Sequence, residues 1–137
     1  ADKKPRYLTE VQPGFVYGLD EQGPNKIFCI VVEGQLDAIH IDGCAIGGSE
    51  IADQQAMLLN RLQKQIIVVP DRDKAGSKLI NQACEWGWSV SMPPWDNGIK
   101  DINNAVIQYG KILTFEAILK YTYDTNTKIK LNEKLWI

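Results

Sequence analysis

Four acidic side chains fall just past hydrophobic runs in this chain: Glu33 after Val31-Val32, Asp71 and Asp73 after Val68-Val69-Pro70, and Asp101 after a later loop. Carboxylates gathered in one place disfavour one another's charge unless a cation offsets it. A divalent ion with oxygen ligands does so, and enzymes of phosphate chemistry use such ions to neutralise and orient phosphoryl groups. Asp71 and Asp73 are two positions apart. In an extended segment their side chains point the same way and could share one ion or bridge two. Metal-assisted chemistry on phosphate is therefore the first expectation.

Blander readings stand beside it. A lone D-x-D is common in surface turns, and Asp73 could simply cap a helix starting at Lys74. Glu33-Gly34 could be only a strand exit. The coincidence of these acids at corresponding places is what favours a site. Asp37 lies one helical turn after Glu33, where an acid at a helix start needs no function. Lys100 beside Asp101 reads as one half of a weak surface ion pair.

The elements that must position these groups alternate. An apolar, β-branched run at 27–32, bounded by Gly23-Pro24-Asn25 and Gly34, predicts a strand buried on both faces. Further strands are expected at 45–46, 66–69 and 88–92. Helices are expected at about 35–41, 50–64 with Ser49 as its cap, 74–86, 102–109 and 114–121. The prolines of Pro93-Pro94-Trp95 make the following stretch a loop. Strands alternating with helices imply an α/β fold, a Rossmann-like parallel sheet of about four strands with right-handed crossovers and helices on both faces. Ligands of such sheets bind beyond the carboxyl ends of the strands. Glu33, Asp71 and Asp73 would converge there, with Gly76 at a helix start where backbone or phosphate can come close.

Composition limits the alternatives. With 137 residues, 45% of them hydrophobic and 23% charged, the chain is sized for one globular domain. A net charge of −2 argues against a strong grip on long nucleic acid by this segment alone. Cys29, Cys44 and Cys84 sit in apolar runs without a C-x-x-C pair, and His40 is the single histidine. Zinc and disulfides are therefore not expected, and a reducing cytoplasm is. His40 is expected to be structural, and Trp86 and Trp88 to pack at a helix–strand junction. Trp95 is a candidate for contact with a base or partner, and Lys128, Lys130 and Lys134 form a weakly basic tail. No run of about 20 apolar residues predicts a membrane span. The start at Ala1 suggests a processed product or an excised part of a longer protein.

The residues Ile30-Val31-Val32-Glu33-Gly34 with Asp37-Ala38-Ile39, then Ile67-Val68-Val69-Pro70-Asp71-Arg72-Asp73-Lys74-Ala75-Gly76, resemble the Toprim domain of primases, topoisomerases and certain nucleases. Ala45-Ile46-Gly47-Gly48-Ser49-Glu50, leading to Gln54-Gln55, looks like the stretch between the acidic motifs of bacterial-type primases. Lys100-Asp101-Ile102-Asn103 is similar to a late segment of phage primase-helicases. Pro5-Arg6-Tyr7-Leu8-Thr9 and Phe15-Val16-Tyr17-Gly18-Leu19-Asp20 look like the lead from the first half of a primase core.

The resemblance implies a lead-in over 1–26, a Toprim domain over 27–110, and a C-terminal helix and tail over 111–137. It implies a DNA primase making short RNA primers on single-stranded DNA from ribonucleoside triphosphates. Such a chain would belong to a larger phage-type replication protein, a primosome component with a fused or separate replicative helicase. Glu33 would be a metal ligand or general base. Asp71 and Asp73 would hold Mg²⁺ or Mn²⁺, and Asp101 would complete the acidic patch. Gly34, Gly76 and Lys100 would lie against substrate phosphate, with Asp37 behind the metal ligands. Alternatives are Toprim-type phosphodiester cleavage, as in a nuclease or topoisomerase, and a non-catalytic interaction module. On this resemblance the chain would lack the zinc-binding module and the basic half-core of a complete primase.

Overall fold

The run Phe28-Cys29-Ile30-Val31-Val32 cannot satisfy its backbone or cover its side chains alone, and it becomes an inner strand of a sheet. The computed structural model describes residues 14–73 and 75–136. Its elements are β1 (Phe28–Val32), α1 (Gln35–Ile41), β2 (Cys44–Ala45), α2 (Asp53–Asn60), β3 (Gln65–Val68) and α3 (Gly76–Trp86). They continue with β4 (Ser89–Ser91), α4 (Ile102–Tyr109), α5 (Lys111–Lys120), β5 (Thr122–Tyr123) and α6 (Asn126–Trp136). The strand order is β2-β1-β3-β4-β5, with the first four parallel and β5 antiparallel to β4. The expected α/β fold is present, and β5 adds an antiparallel edge to the parallel sheet.

The β1–β3 pairing matters most for the acids. Phe28 lies opposite Gln65 and Val31 opposite Val68, and the Val69 N–H donates to the Val31 carbonyl at 2.9 Å. Both strands therefore end at one level. Their side chains are almost wholly buried from Cys29 to Val32 and from Ile66 to Val69. Helices α1, α4 and α5 pack against one another, while α3 packs with α6.

Two expectations change here. The helix expected over 50–64 is only α2, because Gln82 holds the Ile51 backbone from both sides, accepting its N–H at 2.7 Å and donating to its carbonyl at 2.9 Å. Ser49 is consequently not its cap. The chain enters the helix at Ala52, whose N–H donates to Gln55 Oε1 at 2.9 Å. The basic tail, in turn, is mostly helix: α6 buries Ile129 and Trp136. Pro5 to Thr9 lie outside the described residues, whereas Tyr17 pairs with Ala45 beside β2. Cys29 and Cys44 are free thiols, fully buried, with sulfurs 3.5 Å apart.

Candidate functional site

Glu33 leaves β1 and Asp71 leaves the end of β3, and one hydrogen bond joins them. The Asp71 N–H donates to Glu33 Oε2 at 2.9 Å. Burial is the largest influence on Glu33 and raises its pKa, helped by Asp73 and Asp37 and opposed by the Asp71 amide. Asp71 has no opposing influence. Burial first, then Glu33, Asp37, Asp101 and Asp73, push its carboxyl up to about 7.

The other acids are turned onto helix starts. Asp37 is 8% exposed, and its Oδ1 accepts the Asn103 N–H at 2.7 Å. Burial raises its pKa, the amide lowers it, Asp101 raises it and His40 lowers it. His40, half-buried as a structural residue should be, pairs its Nε2 with Asn103 Oδ1 at 2.8 Å. Asp101 caps α4 by accepting the Asn104 N–H at 2.8 Å. Asp73 accepts the Gly76 N–H at 3.0 Å.

The segment carrying Asp71 and Asp73 is not extended. The Asp73 N–H folds back to the Asp71 carbonyl at 2.9 Å, so the two side chains are set by a tight turn rather than by strand alternation. Gly76 is needed for packing: a Cβ there would lie 2.4 Å from the Asp71 carbonyl oxygen. At Gly34 a Cβ would meet only Asp37 Oδ2, at 3.7 Å. The Lys100 side chain is exposed, and its carbonyl accepts the Arg72 N–H at 2.8 Å. Trp95 is only 6% exposed and stacks with Tyr109, which removes it as a free surface for a base. Trp88 is buried with Nε1 on Asn60 Oδ1 at 2.8 Å, and Trp86 stacks on it.

Arg72 was not singled out by sequence. Its Nε donates to the Trp136 carbonyl at 3.0 Å and its Nη1 to the Trp95 carbonyl at 2.5 Å. Because the acceptors are backbone oxygens, no acidic partner in the sequence signals the contact.

The acids share an edge and a field, yet each of Glu33, Asp37, Asp73 and Asp101 is bonded to a backbone amide. Among the described residues, no three Asp, Glu, His or Cys side chains form a group able to hold a metal ion. The donor chemistry nevertheless fits a hard cation. The potential ligands are all carboxylate oxygens, as Mg²⁺ and Mn²⁺ prefer, and a cation would offset the burial and the neighbouring negative charge that disfavour the ionised Asp71.

The family described as Toprim-like matches residues 30–106, from β1 into α4, and the chain belongs to it. No curated protein matches the chain. Its fold is that of primase cores. A DnaG catalytic core is 25% identical with a TM-score of 0.63, over 81% of this chain and 41% of that one. The zinc-binding and RNA polymerase domains of the Aquifex aeolicus primase are 22% identical with a TM-score of 0.65, over 88% of this chain and 34% of that one. A DnaG primase catalytic domain bound to single-stranded DNA is 21% identical with a TM-score of 0.63, over 81% and 40% respectively. The chain thus spans well under half of each.

Proposed function

We propose that this chain is the Toprim catalytic domain of a DNA primase, within a larger phage-type replication protein that makes short RNA primers on single-stranded DNA. The observation that carries this reading is the meeting of Glu33 and Asp71 at the carboxyl edge of neighbouring strands, in a Toprim-like chain with the fold of primase cores. The likeness to a primase domain bound to single-stranded DNA supports that template as a partner. Ribonucleoside triphosphates are the second substrate, and a fused or separate replicative helicase the partner protein. Residues 1–26 lead in from the preceding part of a primase core, 27–110 are the Toprim unit, and 111–137 are its C-terminal extension.

Glu33, Asp71 and Asp73 are the residues to hold Mg²⁺ or Mn²⁺, with Asp101 completing the acidic edge. A bound divalent ion would supply neutralisation of the triphosphate and the departing pyrophosphate. The alternative role for Glu33 in this reading is general base, because a carboxylate whose pKa is raised accepts a proton more readily from an attacking 3′-hydroxyl. Lys100 and the backbone at Gly34 would meet phosphate in this reading. Asp37 orients the start of α4 through its bond to Asn103. The reducing cytoplasm suits the free, buried Cys29 and Cys44, and among the described residues no helix is long and apolar enough to cross a membrane.

Mg²⁺ or Mn²⁺ should raise the melting temperature of the wild type, and Asp71→Ala with Asp73→Ala should abolish the rise. No rise in the wild type would remove the metal site. Given single-stranded template and labelled ribonucleotides, the chain in its parent protein should yield short RNA that disappears with Asp71→Ala. Cleavage of plasmid without synthesis would select a nuclease or topoisomerase instead.

A further inference from the structure

Arg72 stands between the two aspartates of the acidic turn, yet its guanidinium serves neither. Its Nε and Nη1 donate to the carbonyls of Trp136 and Trp95, and its charge lies 5.7 Å from the centre of the Trp136 ring. Its own backbone N–H donates to the Lys100 carbonyl, next to Asp101. One residue therefore fastens the acidic turn to the approach to α4, to the Pro-rich loop and to the end of α6. Trp136 is 6% exposed, and its indole N–H donates to the Pro93 carbonyl at 2.5 Å, so the far end of the strut is itself fixed.

We infer that Arg72 is a positioning residue through which the docking of α6 sets the geometry of Asp71 and Asp73. The inference rests on the reading of those aspartates as metal ligands. Two carbonyls and an aromatic face engage the planar guanidinium, a set of contacts that a lysine cannot reproduce. The turn it anchors is otherwise short and partly exposed, so the strut limits how far the two carboxylates can drift apart. Groups that orient metal ligands from behind typically change affinity when removed. The coupling is also reciprocal: if α6 docking favours cation binding, cation binding must favour α6 docking.

The test uses Mn²⁺ as the probe and the whole chain. In the wild type, Mn²⁺ should slow backbone hydrogen exchange over residues 126–136 as well as around 71–73. Arg72→Met should weaken Mn²⁺ affinity about 10-fold and confine the remaining protection to the acidic turn. Arg72→Lys should restore little of either. Protection confined to the acidic turn in the wild type would overturn the inference, whether or not any variant folds. Unchanged Mn²⁺ affinity in a folded Arg72→Met protein would do the same. Absence of Mn²⁺ binding by the wild type would instead remove the metal site, and the strut's role with it.

Discussion

Asp71 is where burial and charge act in one direction, and its titration should be visible in stability. An acid whose folded pKa is raised contributes stability fully below the ordinary carboxylate value, and that contribution is lost as pH rises through about 7. Metal-free protein should therefore lose melting temperature between about pH 4 and about pH 7. Asp71→Asn should recover a few degrees at the upper end and almost nothing at the lower. Melts in chelator across that range check this, and an unchanged melting temperature at the upper end would contradict the burial and crowding at Asp71. Glu33 and Asp71 stood out in the sequence because each follows a strand, whereas Asp101 follows a long loop and Asp37 lies within α1. The directions of the acids were not readable, since Asp73 and Asp101 are turned by bonds to the amides of Gly76 and Asn104. Arg72 left no trace because its acceptors are carbonyls, which every residue possesses.

Between elements, a few polar and steric contacts hold the edge together. Asp37 on α1 accepts the Asn103 N–H of α4. Asp37→Ala should cost about 1–3 kcal/mol by leaving that amide without its partner. Asp37→Asn keeps an acceptor, loses the charge repelled by Asp101, and should be close to neutral; urea unfolding separates the two. Gly76→Ala would drive a methyl into the Asp71 carbonyl, only 2.4 Å from the Cβ position. A loss of about 1–3 kcal/mol is expected, with weakened metal binding, because the displaced backbone carries Asp71. The residues 28–32 and 65–68 announced themselves as strands through apolar, β-branched runs. β5 did not, being Thr122 and Tyr123 paired by backbone to β4. Helix α6 was equally quiet, because it buries only Ile129 and Trp136 while its other apolar residues, Leu131 and Leu135, face outward among polar ones.

Across the whole molecule, the order of strands β2-β1-β3-β4 brings together groups that the chain keeps apart. The parallel sheet was legible from alternation of strand and helix, whereas the tie from the C-terminal helix back to the acidic turn depends on the folded arrangement alone. Glu33 and Asp71 lie 38 positions apart and meet only through the β1–β3 register. That closure is non-local and must precede any favourable ligand contact. A divalent ion should consequently act after the rate-limiting barrier: Mn²⁺ should slow unfolding several-fold while leaving refolding nearly unaltered. Stopped-flow measurements with and without the ion would reveal it as a shift in one limb of the rate profile. For this chain the cation would then be a latch on a finished sheet, extending the lifetime of the native state without hastening its birth.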